Sequence, residues 1–444
     1  MSELSIVRRR EIVAALRNGT VPKVGLGELA VGLQRFERAI DEELDLVATQ
    51  HGGFKAVRGE YGAGKTFFAR WLQQRAWDRG FATAEVQISP SDTPLYRMET
   101  VYRRAIENLR TREWHDGAFR SLIDRWFYAL EDEVLAEGSV SETDAAGLAE
   151  AVGTRLEQRL AAISATHPQF SAALRGCHDA RIRNDHALAD GLLGWLMGQP
   201  HVGASIKRQA GIKGDLDHFA ANAFLRGLLA LLRQTGRRGL VLVLDEVETI
   251  QRMRSDVRDK SLEALRQLID DLQRGVYPGL YLVITGTPAF FQGPMGARRV
   301  EALAQRLHVE FVDPRFDNPR AVQIRLLPFD RDRLIEVGLK VRDLFPARDA
   351  DDLSRRVDDR TVAALADAVA GELGGRIGVA PRLFLKKLVQ EVLDRVDQFE
   401  DYDPAVHFRL RLDPFELSND ERSAAGVTLR ADDIALDLDG NGDD

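Results

Sequence analysis

The chain has 444 residues, 44% of them hydrophobic, with 61 lysines and arginines against 69 aspartates and glutamates and a formal net charge of −8. That is enough apolar material for a buried core spread over two or three domains. No run approaches the ~18 consecutive apolar residues of a membrane span, and the N-terminus MSELSIVRRREIVAAL carries charges where a signal peptide needs an apolar stretch, so a cytoplasmic protein is expected.

Six aspartates fall in the last 13 residues, Asp432 to Asp444, and only nine of the cations are lysines. The body is therefore near neutral and rich in arginine. Arg252, Arg254 and Arg258 offer local charge for phosphates, against the competing reading of a solvated mixed-charge face. The single cysteine, Cys177, excludes an internal disulfide and reads as small buried filler.

In chain order, residues 1–50 have helical patterning, with a break at VPKVGLG. A strand is expected at FKAVRG (54–59), an amphipathic helix at TFFARWLQQRAWDRG and a second strand at TAEVQIS (83–89). The next strong strand, LVLVLDE, begins only at Leu240, a gap too long for a loop in a compact domain. Helix formers fill it, with candidate helices near 94–113, 117–137, 143–165, 184–197 and 215–235, so 90–237 reads as a helical insertion. After it come the helix SLEALRQLIDDLQRG, the strand LYLVIT (280–285) and a strand in VQIRLLPF (322–329), the order of a parallel sheet with covering helices. Residues 331–400 are patterned as a helical lid. Residues 401–444 mix β-like runs such as HFRLRL with polar breaks and end in an acidic tail expected to be disordered. The α/β core is thus assigned to 51–89 and 238–330.

RGEYGAGKT fits G-x-x-x-x-G-K-[ST], the P-loop pattern, between a strand and a helix as that motif requires. Its glycines let backbone N–H groups face phosphates, and the helix beginning there adds its positive end. Gly59, Glu60, Tyr61, Gly62, Ala63, Gly64, Lys65, Thr66 and Phe67 are the expected ATP contacts, with Lys65 on the β- and γ-phosphates and the Thr66 hydroxyl on Mg²⁺. GLVLVLDEVE delivers Asp245 and Glu246 to the C-terminal end of an apolar strand, where ligands bind in open α/β sheets. Asp245 is the second expected Mg²⁺ ligand and Glu246 the group that polarises the attacking water. LYLVITGTP puts Thr285, and then Thr287, at the end of the next strand, with Thr285 the better placed to bond the γ-phosphate or the water.

With these motifs the sequence resembles the AAA+ ATPases, in the branch that holds initiator-type and STAND-like ATPases, over roughly residues 25–395. The resemblance implies adenine contacts around Leu29 to Val31 in LAVGLQRFERAIDEEL. It also implies an arginine finger at Arg306 in ALAQRLHVEF and a sensor-2 arginine at Arg382 in GVAPRLFLKKLV. RGEYGAGKTFFARWL, ATAEVQIS, METVYRRAIENL, GLVLVLDEVETI and GTPAFF together look like the BrxD-like ATP-binding proteins of bacterial BREX phage-defence loci. That likeness implies ATP and Mg²⁺ as cofactors, a homo-oligomer and a helicase-like partner from the same defence system, and leaves DNA open as a further ligand.

Two other patterns are set aside. Cys177, His178 and His186 lack a fourth ligand and a zinc spacing, and DLDGNGDD stops before the closing glutamate of a calcium loop. The expected reaction is ATP + H₂O → ADP + phosphate in an antiviral defence system. The alternative is a slow nucleotide-dependent switch whose output is partner binding, and a kinase stands third because no acceptor site is visible. The insertion, with Trp114, Trp126, Phe127, Tyr128 and Trp195, is the expected partner surface.

Overall fold

The computed structural model describes residues 4–417 except 139, 142, 165, 166, 375–377, 379 and 380, together with 421, 422 and 425. The chain forms two compact units: Met1–Gln34, Gly59–Phe67 and Leu326–Asp444 make one, Arg35–Arg58 and Phe68–Arg325 the other. The acidic tail from Asp432 onward lies outside the described residues.

The larger unit is built on a parallel sheet of β1 (Gly53–Arg58), β2 (Ala82–Gln87), β3 (Leu240–Asp245), β4 (Leu280–Gly286) and β5 (Gln323–Arg325), in the order β2-β3-β4-β1-β5. The mixed α/β class with a parallel sheet is the one read from the sequence. β3 and β4 are buried along their whole length, which is why LVLVLD and LYLVITG are continuous apolar runs rather than alternating ones. β5 is shorter than VQIRLLPF suggested. Among the described residues it pairs with β1 alone, through Ala56↔Gln323, Val57↔Ile324 and Arg58↔Arg325, and β1 ends at Arg58.

Between β2 and β3 the described residues form seven helices: α5 (Met98–Glu107), α6 (Ala118–Ala136), α7 (Ala145–Ser164), α8 (Pro168–Ile182), α9 (His186–Leu196), α10 (Ala204–Gln209) and α11 (His218–Gln234). One apolar core runs from Val86, Leu244 and Ile284 of the sheet to Trp126, Phe170 and Leu228 of these helices. They belong to the same compact unit as the strands. Truncating a side chain buried like Leu244 to alanine costs about 2–5 kcal/mol. α8 fills the stretch between the candidate helices 143–165 and 184–197 and was not anticipated. Pro168 sits in its first turn, where its missing N–H costs nothing. At Gly176 a Cβ would lie 2.8 Å from Leu192 Cδ1 and 3.0 Å from Ala210 Cβ, so the glycine permits close helix packing.

β1 is anchored by a buried ion pair. The Lys55 ammonium, 1% exposed, donates to Glu43 Oε1 at 2.6 Å, Ala321 O at 2.7 Å and Pro319 O at 3.2 Å, and Tyr281 donates to the other Glu43 oxygen. Burial pushes the Lys55 ammonium below its usual range and the Glu43 carboxyl above its own, with their mutual attraction opposing both shifts. The arrangement ties the helix Gln34–Ala48 and the approach to β5 onto β1, the strand that leads into Gly59.

The smaller unit has a core of its own. Ile12, Val13 and Leu16 of α1 (Ile6–Arg17) pack with Leu334, Val337, Phe384 and Leu388 of the C-terminal helices. The first 34 residues therefore share a core with the C-terminal helices, where the sequence reading made 1–50 a segment of its own. Arg17 clasps Asp394 through two bonds of 2.7 Å. HFRLRL is extended, with Phe408, Leu410 and Leu412 against this core and Arg409 and Arg411 exposed, and it forms no strand among the described residues.

Candidate functional site

The parallel register brings the C-terminal ends of four strands to one edge of the sheet. Gln87 is opposite Asp245, Leu244 opposite Ile284, and Arg58 opposite Gly286. Asp245 is 5% exposed and Thr285 fully buried. The Thr285 hydroxyl donates to Asp245 Oδ1 and accepts the backbone N–H of Glu246 at 3.1 Å. The sequence reading aimed this threonine at a phosphate or a water, whereas here its one proton goes to Asp245, which it orients.

Glu246 turns the chain out of β3 in the left-handed region, at φ 58° and ψ 44°, an unusual conformation for a residue with a side chain. Two groups brace that turn. The Thr249 hydroxyl reaches both Ile88 O, at 2.8 Å, and Glu246 O, at 2.9 Å, while Gln87 Nε2 donates to Glu246 Oε2 at 2.9 Å. Thr93 in turn holds the Gln87 carbonyl through its hydroxyl. The result is a carboxylate pair at a strand end, one member oriented by a hydroxyl and the other by an amide. Thr287 is buried and precedes Pro288, the first residue of a short helix.

Gly59, the residue after β1, opens the loop that runs to Phe67. Gly62 and Gly64 take φ of 78° and 84°, which L side chains rarely adopt, so the two glycines are what let this loop curl. At Gly59 a Cβ would lie 3.2 Å from both Ala63 Cβ and Lys65 Cγ. Helix α4 (Lys65–Asp78) begins within the motif and has Thr66 in its first turn. The Lys65 ammonium is 8% exposed, donates to Gly59 O at 3.1 Å and Glu60 O at 3.3 Å, and lies 5.0 Å from the centroid of the Tyr61 ring. A curled glycine loop at a helix start, with a lysine folded onto the loop's own carbonyls, suits a polyphosphate.

The family described as BREX system ATP-binding protein BrxC/D matches residues 5–411. The chain belongs to that family. It is an ATP-binding protein of the BREX phage-defence type, as the motifs suggested. No curated protein matches it.

Within this BrxC/D chain the two arginines implied by resemblance are each held by a carboxylate. Arg306, on the helix Glu301–Leu307, donates to Asp270 and, at 2.6 Å, to Ala302 O. Arg382, on the helix Pro381–Lys387, clasps Glu421, which is 2% exposed, and donates to Glu416 O at 2.7 Å. Leu29 and Val31 are packed in the core of the smaller unit, where Lys340 donates to Ala30 O at 2.6 Å.

Gln87, Thr93 and Thr249 were missed by sequence reasoning. The one available signal was a polar residue closing the buried strand ATAEVQ. Cys177 is buried, and burial pushes its thiol up to about 12. Among the described residues no group of three or more His, Cys, Asp or Glu side chains is arranged to hold a metal ion, and no helix is long and apolar enough to cross a membrane.

Proposed function

We propose that this protein hydrolyses ATP: water attacks the γ-phosphorus, the bond to the β–γ bridging oxygen breaks with its electron pair leaving on ADP, and the water proton passes to Glu246. Lys65 meets the β- and γ-phosphate charge. The Thr66 hydroxyl and the Asp245 carboxylate would hold Mg²⁺, which would supply charge neutralisation on the phosphates. A magnesium ion that brings its own waters and phosphate oxygens needs only such a pair of protein oxygens. Thr285 orients Asp245. Arg306 serves the site of a neighbouring copy in a homo-oligomer, and Arg382 serves its own, each after leaving its present carboxylate. The output is work on a helicase-like partner of the same cytoplasmic defence system.

The observation that carries the reading is the carboxylate pair itself, because Asp245 and Glu246 close a fully buried strand, with the Thr285 hydroxyl orienting the first. Phosphate release by the purified full chain, with ATP and Mg²⁺ and then with the metal chelated, tests it. Metal-dependent release that is lost in Asp245→Asn is the expected result, and equal release by that variant refutes the assignment.

A second reading is a slow switch. It is favoured by Gln87 holding Glu246 and by the ion pairs that occupy Arg306 and Arg382. Turnover that stays slow with DNA and partner both present would select it.

A further inference from the structure

The 3-10 turn Val247–Arg252 follows Glu246 directly and runs into α12 (Ser255–Gln273). Beside it lies the segment after β4, tied on by two contacts: Gln251 Nε2 donates to Ala289 O at 3.1 Å, and Arg299 donates to Ser255 Oγ at 3.3 Å while clasping Asp259 at 2.7 and 2.9 Å. Residues 251–260 and 292–300 together hold six cations and two carboxylates, in a chain whose net charge is −8. The flanking acids are Glu248, which is buried, Glu263, which is paired with Arg266, and Glu301.

These cations are not equivalent. Arg258 is 6% exposed and donates to Gln251 O, so it serves the turn and faces no ligand. Arg299 is spent on Asp259. Arg252, Lys260 and Arg298 are exposed and make no ion pair among the described residues. The Arg254 side chain, 85% exposed, meets Asp256 only at 3.9 Å.

We infer that this surface, centred on Arg252, Arg254 and Arg298, binds the phosphate backbone of nucleic acid. Guanidinium groups on a braced turn match phosphates in geometry as well as charge. The uncapped N-terminus of the 19-residue α12 adds charge of the same sign. A protein partner would need an apolar centre, and the patch offers only Met295, at 40% exposure, whereas a polyphosphate needs none. The position also suits coupling, since the turn that carries Arg252 is the one whose Thr249 holds the Glu246 carbonyl. Binding stands independently of hydrolysis, and only the coupling rests on the function proposed above.

The test is fluorescence anisotropy of the full chain, without nucleotide, on a labelled duplex of about 20 base pairs, a single strand of equal length and poly-glutamate, from about 50 to about 200 mM salt. The combined variant Arg252→Ala, Arg254→Ala, Arg298→Ala should bind nucleic acid at least about tenfold more weakly at low salt, with a log–log salt slope shallower by about 2–3. A variant with lysine at the same three positions should keep most of the slope. One with alanine at the exposed Arg112, Arg183 and Arg208 should match the unaltered chain. Absence of binding by the unaltered chain, an unchanged slope in the triple alanine variant, or poly-glutamate binding as tight as either nucleic acid would overturn the inference. Because no nucleotide is present, an inactive ATP site leaves these outcomes unaffected.

Discussion

The sheet edge and the C-terminal helices hold their chemically interesting groups in opposite ways. At the edge, Glu246 accepts a hydrogen bond from a neutral amide and Asp245 accepts one from a hydroxyl, partners that carry no charge of their own. In the C-terminal helices, Arg382 is clasped by a carboxylate that is 2% exposed, and freeing the arginine leaves a buried charge behind. Under the proposed function the acids are in place and the arginines must first be released. Arg306, engaged by Asp270, belongs with the second group.

The largest effect that would sharpen this contrast is at Arg306. As a finger for a neighbouring copy it should lose about 10³-fold in turnover as Arg306→Ala, with ATP affinity mostly kept. Asp270→Asn, which breaks the same ion pair, should leave turnover within a few-fold. Mixing Arg306→Ala with Lys65→Ala subunits should restore part of the activity, because some interfaces then pair an intact loop with an intact arginine. Equal behaviour of the Arg306 and Asp270 variants in steady-state assays would make the arginine a structural partner and nothing more.

Next comes the clasp on Arg382. Glu421→Gln removes the carboxylate charge and should raise turnover several-fold, up to about tenfold, while lowering thermal stability; Arg382→Ala should lower turnover. A Glu421 variant that loses stability without gaining turnover would break the comparison.

Gln87→Ala should change basal phosphate release by only a few-fold, upward, since it removes one hydrogen bond to a half-buried carboxylate. Stopped-flow phosphate detection separates that rise from no change.

The smallest effect is on stability. His167, buried beside Arg226, is pushed down to about 4, first by burial and then by that arginine. Its folded state resists protonation, so the helices around it should be fully stable above the ordinary histidine range near 6.5. They should lose stability as pH falls from there toward about 4. In chemical denaturation His167→Gln should flatten this slope.

What could be read from the sequence divides along the same line. The loop at Gly59–Phe67 and the pair Asp245–Glu246 are local patterns, each an apolar strand followed by its own chemistry, and both were legible. Gln87 was not, because β2 meets β3 only after an excursion of seven helices, and no pattern near Gln87 announces Glu246. The partners of Arg306 and Arg382 depend on side chains 36 and 39 residues away meeting in the fold. α8 opens on a proline whose position in the first turn decides its meaning, and β5 is shorter than the run that holds it because a strand's length is set by its neighbour.

The most direct measurement of the central claim is ATP binding and phosphate release determined side by side for Lys65→Ala and Glu246→Gln. Lys65→Ala should lose binding, because the cation facing the phosphates is gone. Glu246→Gln should bind ATP as the unaltered chain does and lose turnover by about 10²-fold or more, the range in which a general base contributes. Equal loss of binding in both variants, or turnover retained in Glu246→Gln, would contradict the account.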